Sequence, residues 1–465
     1  MTRLRVSRRT CLVALAAPAV PRPPAAPVPP PRPAPGWLAV ANVTLIDVAA
    51  GVGWPGATVL VRGDRIAAVG PAAAVAVPPA ARIIDGRGKF LIPGLWDAHA
   101  HLADPGFYGL YLRAGVTGVR HMLGPNPLFS PAEPPDHTAG PVQPRVVRAH
   151  HALDGPDTPF PFPARPQIIP VARPCEVAAA LDRVRAGRND FVKVFSTLPP
   201  AVYRALLPAA RARGLPVDGH LPRGVTAAEA SAAGQRTIEH LDGVAFGCSP
   251  DEPRLRAELA AAPAGAADAT GWRLQVRAHE AFDPARADAL FRVFVANGTW
   301  HVPTLVQTRQ MARLADPAVV GSAALRELPL LVRLYWERKV TNGVVELPRM
   351  GVRLTAADLR DRETLCRGDV ELVRRMHRAG VRLLAGTDTP APFVVPGAAL
   401  HEELEHLVAA GLTPADALRA ATLDPARCFG LDDRLGSIGP GKLADLVLLG
   451  RDPLADVRHT RTVEA

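Results

Sequence analysis

The spacing of apolar and polar residues changes along the chain and marks two kinds of structure. Between residues 37 and 93, apolar residues come in short runs such as LAVANVTLIDV (38–48) and ATVLVRGDRIAAVGP (57–71). Runs of this kind are typical of β-strands, and the Gly-Asp pair within residues 62–65 predicts a turn that folds the second run back on itself. After residue 94, short apolar runs alternate with longer Ala- and Leu-rich stretches. This second pattern predicts parallel strands connected by helices.

Eight short apolar runs follow one another in this second region. They cover residues 94–102, 116–123, 145–153, 191–195, 215–221, 236–243, 299–306 and 381–390. Eight parallel strands with intervening helices predict an α/β fold, a (β/α)8 TIM-type barrel whose active site lies at the carboxyl ends of the strands. A helical stretch over residues 401–427 closes the barrel, and Gly411 and Thr413-Pro414 predict that one helix ends there and another begins.

The run LGSIGPGKLADLVLL (435–449) returns to turns and β-forming residues. Because both ends of the folded region are rich in strand patterns, we expect residues 37–93 and 431–465 to form one small β-sandwich domain. The barrel would then occupy residues 94–430.

The N-terminal 36 residues have the composition of a leader. Residues 1–20 combine a basic start with about ten apolar residues, a run too short to span a bilayer. SRRTCLVAL resembles a twin-arginine export signal, which predicts a periplasmic or extracellular protein; without a functional signal the protein would be cytoplasmic. The Pro-rich residues 21–36 predict an extended linker.

Composition excludes several classes of protein. The net charge of +10 comes from scattered arginines without a basic block, which argues against nucleic-acid binding. The five cysteines are far apart and form no CxxC pair, so neither a disulfide framework nor a cysteine zinc site is predicted. No stable membrane span is expected, and association into a homo-oligomer is left open.

Histidines and one aspartate recur near the ends of the predicted strands. His99 and His101 are two residues apart on the first strand, so their side chains point to the same side. His220, His240 and Asp388 lie near the ends of the fifth, sixth and eighth strands. A barrel brings these ends together, and the residue types are ready ligands for divalent metals. The sequence therefore predicts a metal site.

Lys193 lies within the apolar fourth strand, DFVKVF (190–195), although only four of the 54 basic residues are lysines. A neutral lysine amine can add CO2 and become a carbamate, an anionic ligand able to bridge two metals, which arginine cannot do. The alternative is a buried lysine paired with a carboxylate, an arrangement that contributes little stability.

These motifs together resemble the amidohydrolase superfamily in its binuclear, carbamylated-lysine subtype. LIPGLWDAHAHL, EHLDG, LLAGTDTP and GSIGPGKLADLVLL are similar to landmarks of its imidazolonepropionase-like and Xaa-Pro or Xaa-Arg dipeptidase branch. The resemblance covers residues 37–460 and implies two divalent ions per chain, Zn²⁺ by default. One ion would be held by His99, His101, Lys193 and Asp388, and the other by Lys193, His220 and His240.

Two positions depart from that family pattern. An acid is expected after the arginine of the second strand, where this chain has His121. Chains of this type usually end with a further sandwich strand, whereas this sequence ends in TRTVEA, so we expect that edge of the sandwich to be incomplete.

The predicted activity is hydrolysis of a C–N bond in a small amide or dipeptide by a metal-bridged hydroxide. Asp388 would act as general base and then as general acid. Arg120 and His150 end the second and third strands, and each could contact a substrate carboxylate or be structural. Trp336 is interpreted as a core or loop aromatic residue.

Other activities stay open at this stage. A mononuclear deaminase or cyclic-amide hydrolase is disfavoured by Lys193, because such enzymes usually lack a lysine there. Lactone and phosphoester hydrolysis use nearly the same binuclear centre. A metal-free scaffold is disfavoured because none of the six ligands is missing.

Overall fold

The computed structural model of the protein describes residues 36–124, 143–158, 167–262 and 267–465. The export signal expected at residues 1–20 and all but the last residue of the linker lie outside these ranges, so both stay predictions. Among the described residues, no helix combines the length and apolar character needed to cross a membrane.

The first sheet is built mainly from the N-terminal region. Its first five strands are β1 (Trp37–Asp47), β2 (Val52–Arg62), β3 (Arg65–Pro71), β4 (Arg82–Asp85) and β5 (Phe90–Pro93). β1 pairs antiparallel with β2 and parallel with β4 and β5. β2 and β3 form the hairpin predicted through the 62–65 turn.

The remaining strands follow in chain order. They are β6 (Leu95–Ala100), β7 (Val116–His121), β8 (Arg145–Arg148), β9 (Ala152–Asp154), β10 (Ile168–Pro170), β11 (Val192–Val194), β12 (Val217–Gly219), β13 (Thr237–Glu239), β14 (Trp300–Val302), β15 (Lys339–Thr341), β16 (Val344–Leu347), β17 (Val352–Leu354), β18 (Arg382–Leu383) and β19 (Leu446–Leu449). Each of the eight predicted runs contains an observed strand, the third run being divided into β8 and β9.

Parallel pairing closes the predicted barrel. β6, β7 and β8 pair in order, and β9, β11, β12, β13, β14 and β18 form a second parallel series. Asp190 N donates to Arg148 O across 2.9 Å and joins the two series. Ala98 N donates to Ala385 O, also across 2.9 Å, and joins β6 to the segment after β18. The fold is therefore of the TIM-barrel type.

Helices lie between and after these strands. They are α1 (Phe107–Arg113), α2 (Val177–Ala186), α3 (Pro200–Arg211), α4 (Ala227–Ala233), α5 (Val244–Gly247), α6 (Glu252–Ala261), α7 (Ala267–Glu280), α8 (Pro284–Asn297), α9 (Leu305–Ala312), α10 (Pro317–Val320), α11 (Leu330–Tyr335), α12 (Ala356–Arg378), α13 (Ala398–Ala409), α14 (Pro414–Ala420) and α15 (Leu423–Phe429). The helix boundary predicted near Gly411 is confirmed, since α13 ends just before it and the Thr413 side chain caps α14 by accepting from Asp416 N.

The C-terminal region returns to the first sheet. β19 pairs antiparallel with β5, so both ends of the folded region meet in one six-stranded sheet. A second facing sheet is not defined by these pairings, and the small sandwich domain stays a prediction. The TRTVEA end runs along β19, where Glu464 N donates to Leu448 O and Leu448 N to Ala465 O. The last residues of the chain therefore pair with β19, although we expected this edge of the sandwich to be incomplete.

A long segment lies between α9 and α12, in the connection from the seventh to the eighth barrel strand. It comprises residues 313–354, with α10, α11 and the antiparallel strands β15, β16 and β17. We call it the strand-seven insertion. The sequence pattern predicted no elements in this segment.

Candidate metal centre

All six predicted metal ligands lie at or just beyond the carboxyl ends of barrel strands. They are His99 and His101 at β6, Lys193 in β11, His220 after β12, His240 after β13 and Asp388 after β18. The imidazole ring centroids of His99 and His240 are 4.6 Å apart, and those of His220 and His240 are 4.9 Å apart. His101 lies 5.7 Å from His99 by the same measure. The barrel thus brings the four predicted histidines together at its mouth.

Asp388 lies between the two histidines of the first strand. Its Oδ1 is 3.3 Å from the Nε2 atoms of both His99 and His101. One ligand atom each from His99, His240 and Asp388 lies within 4.8 Å of the other two, a spacing at which the three could hold one metal ion. The Asp388 side chain is 20% exposed, so it can also meet a molecule that enters the mouth.

Three of the histidines use Nδ1 for a hydrogen bond with a neighbouring side chain. His99 Nδ1 donates to Glu239 Oε2 across 2.6 Å, and His220 Nδ1 donates to Asp242 Oδ2 across 2.8 Å. His240 Nδ1 lies 2.8 Å from Thr304 Oγ1. Such bonds fix the ring orientation and leave Nε2 free to bind a metal ion.

His99 gives the most direct test of whether a metal fits this site. Its side chain is 1% exposed, and its Nε2 has no hydrogen-bond partner among the described residues. With Nδ1 protonated, Nε2 is an acceptor that faces the carboxylate of Asp388, another acceptor. A cation between these two acceptors would satisfy both, so the donor set fits a divalent metal ion.

The placement of Arg120 excludes one of its two expected roles. Its side chain is fully buried, with Nη2 donating to Glu239 at 2.8 Å and Nη1 to Asp218 at 3.0 Å. Nη1 also donates to Thr237 Oγ1 at 2.9 Å, and Nε donates to Ala98 O. The suggested contact between Arg120 and a substrate is therefore wrong, because every part of the guanidinium is used inside the barrel. Arg120 is structural and holds Glu239.

His121 and His150 lie beside the site at the ends of the second and third strands. His121 Nδ1 accepts a hydrogen bond from Leu102 N across 3.0 Å, which helps to place the loop after His101. Burial, together with the nearby His101 and His150 rings, lowers the pKa of His121 well below its usual value. His150 is 6% exposed, and its contact with a substrate stays a prediction. His121 thus occupies the position where an acid was expected, and the acid that Arg120 holds is Glu239 of the sixth strand.

Lys193 is buried at the same mouth. Its side chain is 1% exposed, with Nζ 4.6 Å from the centroid of the Phe195 ring. Burial lowers the pKa of Lys193 to about 8, against the opposing charges of Asp388 and Glu239. In the described part of the chain, no carboxylate oxygen lies within 4.0 Å of Nζ, which argues against the paired-lysine alternative.

The protonation states suit ligation. Burial lowers the pKa of His101 to about 4 and that of His240 to about 3, so both imidazoles are neutral near pH 7. Burial alone would raise the pKa of Asp388, but the neighbouring His101 and His99 rings hold it well below its usual value. Neutral imidazoles beside an ionised carboxylate form a cation-binding set.

Backbone geometry at the site is unusual for these residue types. His240, Asp388 and Thr304 have φ values of 55°, 59° and 51°, in the left-handed region that residues other than glycine rarely adopt. Such conformations concentrate where the surrounding structure holds a functional side chain in place.

Four residues of the site were not identified from the sequence. Glu239 and Asp242 flank His240 in the EHLDG motif, so their proximity was a usable signal. Asp97 accepts from Thr387 N at 3.0 Å and thereby ties the first strand to the loop that carries Asp388. Thr304 gave no recognisable sequence signal.

Comparison with protein families gives a match over more than half of the chain. Residues 194–462 match the amidohydrolase family. The chain is 24% identical over 455 residues to an adenine deaminase of Rubrobacter xylanophilus, an alignment that covers 93% of this chain and 57% of that protein. It is 27% identical over 399 residues to an imidazolonepropionase of Pseudomonas aeruginosa, covering 84% and 86% respectively. The chain thus spans little more than half the length of the adenine deaminase.

Solved structures share the fold. A bottromycin amidohydrolase superposes with a TM-score of 0.65 at 26% identity, over 89% of this chain and 82% of the other. A Xaa-Pro dipeptidase with methionine bound in its active site superposes with a TM-score of 0.63 at 17% identity, over 92% and 97%. At the latter identity the likeness shows the fold alone.

Proposed function

The chain belongs to the amidohydrolase family, and from this premise we propose that it is a metal-dependent hydrolase that cleaves the C–N bond of a small amide or dipeptide. The observation that carries the proposal is the arrangement around His99. Its Nδ1 is bound by Glu239, and its Nε2 faces Asp388 Oδ1 at 3.3 Å. A metal ion could bind to both of these atoms, and the Asp388 carboxylate also reaches solvent.

We further propose two divalent ions per chain, with Zn²⁺ the default for a histidine-rich site. The assignment expected from the sequence gives one ion to His99, His101, Lys193 and Asp388 and the other to Lys193, His220 and His240. The group of His99, His240 and Asp388 suits one ion, and the His220 ring, 4.9 Å from that of His240, supports a second ion beside it. Lys193 would add CO2 through Nζ, lose one proton and become a bridging carbamate; its burial without a carboxylate partner supports this role.

Bound metal would supply a Lewis acid for the scissile carbonyl and lower the pKa of a water molecule. Asp388 would accept a proton from that water as its oxygen adds to the carbonyl carbon. When the C–N bond breaks, Asp388 would donate the proton to the leaving amine, so that one water is consumed. Glu239 and Thr304 would hold the His99 and His240 rings throughout.

The test is hydrolysis of Xaa-Pro, Xaa-Arg and N-acyl amino acid substrates by protein prepared with zinc and bicarbonate. Asp388→Asn should lower kcat by about 10²- to 10⁴-fold, the usual contribution of a general base. Asp433→Asn is the matched control, because that carboxylate is 75% exposed on the surface. Wild-type turnover by Asp388→Asn would contradict the role assigned to Asp388.

A second candidate is hydrolytic deamination. Its specific support is the likeness to proteins named adenine deaminase, two of which align over most of this chain at 24% and 26% identity. Water activated at the same site would add to the ring carbon that carries the amino group, and this group would leave as ammonia. Release of ammonia from adenine, without cleavage of any amide substrate, would favour this candidate over the first.

A further inference from the structure

A cavity of about 440 Å³ lies between the strand-seven insertion and the loop that follows Asp388. The insertion contributes the side chains of Arg326, Arg333, Trp336 and Arg338, and the loop contributes Phe393. None of these residues belongs to the metal centre described above. The cavity therefore offers a second set of interactions beside the mouth of the barrel.

Chain connections place this cavity next to the loops that carry two site residues. Phe393 follows Asp388 by five residues, through a turn in which Ala391 N donates to Asp388 O across 2.8 Å. On the other side, Pro329 of the insertion packs against Gly106, where a Cβ atom would lie 3.1 Å from Pro329 Cγ. Gly106 is five residues after His101. The insertion thus spans the loops after the first and eighth strands.

The charge of the cavity is positive. Arg326 and Arg333 are exposed, and neither forms an ion pair with a carboxylate in the described part of the chain. Arg338 is engaged by donating to Leu314 O. Glu337 also lines the cavity, but the Arg349 guanidinium lies 3.8 Å from it and offsets its charge. Two arginine side chains are therefore available for an anion.

Trp336 forms an apolar part of the cavity lining, beside Phe393. Its side chain is 2% exposed and packs on Phe393, with ring centroids 5.6 Å apart. Its Nε1 is buried without a hydrogen-bond acceptor among the described residues. A buried indole N–H normally finds an acceptor, because leaving it unpaired is costly. Phe393 itself has a φ of 63°, a conformation that its surroundings must maintain.

We propose that this cavity is a specificity site that binds the free carboxylate of the substrate, at the end remote from the scissile C–N bond. The inference rests on the proposed amide hydrolysis and deepens it. Arg326 and Arg333 would donate to the carboxylate oxygens, as the planar guanidinium fork suits. Phe393 and the Trp336 ring would pack on the apolar part of the same group.

The first arm of the test measures binding without turnover. N-acetyl-L-phenylalanine and N-acetyl-L-phenylalaninamide are matched probes that differ in the carboxylate, and calorimetry gives their Kd values. The wild type should bind the acid more tightly than the amide. The double variant Arg326→Gln/Arg333→Gln should weaken acid binding by about tenfold or more while leaving amide binding unchanged.

The matched control is Arg353→Gln, an arginine of the same insertion that lies 3.3 Å from Glu346 outside the cavity. It should bind both probes as the wild type does. Equal affinity for acid and amide in the wild type, or equal losses in the control and the double variant, would overturn the inference. Inorganic phosphate that binds to the arginines while the carboxylate is not preferred would also overturn it, in favour of a phosphate site.

The second arm separates this inference from the proposed function. With dipeptides and their C-terminal amides, the double variant should raise KM for the free acids and leave their kcat and the metal content unchanged. If no amide substrate is hydrolysed but the acid probe is still preferred, the proposed function fails and the carboxylate site stands. If dipeptides are hydrolysed without preference for the free acid, the reverse holds.

Discussion

Glu239 accepts a hydrogen bond from His99 Nδ1 across 2.6 Å, and both side chains are almost completely buried. The same carboxylate is held by Arg120 Nη2 at 2.8 Å. Glu239 therefore fixes the tautomer and orientation of His99 and directs Nε2 towards Asp388. The orientation of a first-strand ligand thus depends on an acid of the sixth strand.

Glu239→Gln should weaken metal binding by about 10- to 100-fold, the usual effect of losing the partner that orients a metal-binding histidine. It should also lower the free energy of unfolding by about 3–5 kcal/mol, because Arg120 loses the charge of a buried partner. Metal titration and urea denaturation measure the two effects. Glu258→Gln, at an exposed pair with Arg277, is the control and should change neither quantity. Unaltered metal affinity in Glu239→Gln would contradict the orienting role.

The hydroxyl of Thr304 tests the same principle at His240. Thr304→Val keeps the shape of the side chain but removes the 2.8 Å hydrogen bond with Nδ1, so metal affinity should fall by about tenfold. Thr304→Ser keeps the hydroxyl and should restore most of that affinity. If Val and Ser variants lose metal equally, backbone strain at this position rather than the hydrogen bond would account for the loss.

The pH dependence of stability should show the effect of Glu403. Burial raises the pKa of this carboxyl to about 8, although it accepts a hydrogen bond from Val306 N. An unfolded glutamate titrates near pH ~4.3, so between pH ~4.3 and about 8 the folded state holds a proton that the unfolded state has lost. The stabilisation is fully present below that range and is lost as the pH rises through it.

Glu403→Gln removes this titration. The difference in free energy of unfolding, variant minus wild type, should therefore increase by at most about 1.4 kcal/mol per pH unit as the pH rises from 5 to 8. Urea denaturation across that range gives the difference. Parallel profiles for the two proteins would show that Glu403 does not retain its proton in the folded state.

The barrel could be predicted because its signals are local. Each predicted run contains an observed strand, and Gly411 and Thr413 marked the boundary between α13 and α14, since periodicity and capping depend on neighbours in sequence. The convergence of the six predicted ligands at the mouth followed from the same reasoning, because strand ends meet in a closed barrel whatever its details.

Partners across the barrel could not be predicted in the same way. The role of Arg120 depends on Glu239 and Asp218, which lie on other strands and meet only in the closed fold. The sequence does not distinguish Trp336 from an ordinary aromatic residue, because its unpaired N–H and its contact with Phe393 arise only when the insertion folds.

Metal content per chain distinguishes the proposed binuclear centre, bridged by Lys193, from a mononuclear one. Protein purified with zinc and bicarbonate is compared as wild type, Lys193→Ala and Lys339→Ala, the last being an exposed lysine of β15. We expect about two metal ions in the wild type and in Lys339→Ala, and a sharp fall in Lys193→Ala. About one ion in all three proteins would contradict the carbamate bridge and would leave a mononuclear site in which Lys193 has no part.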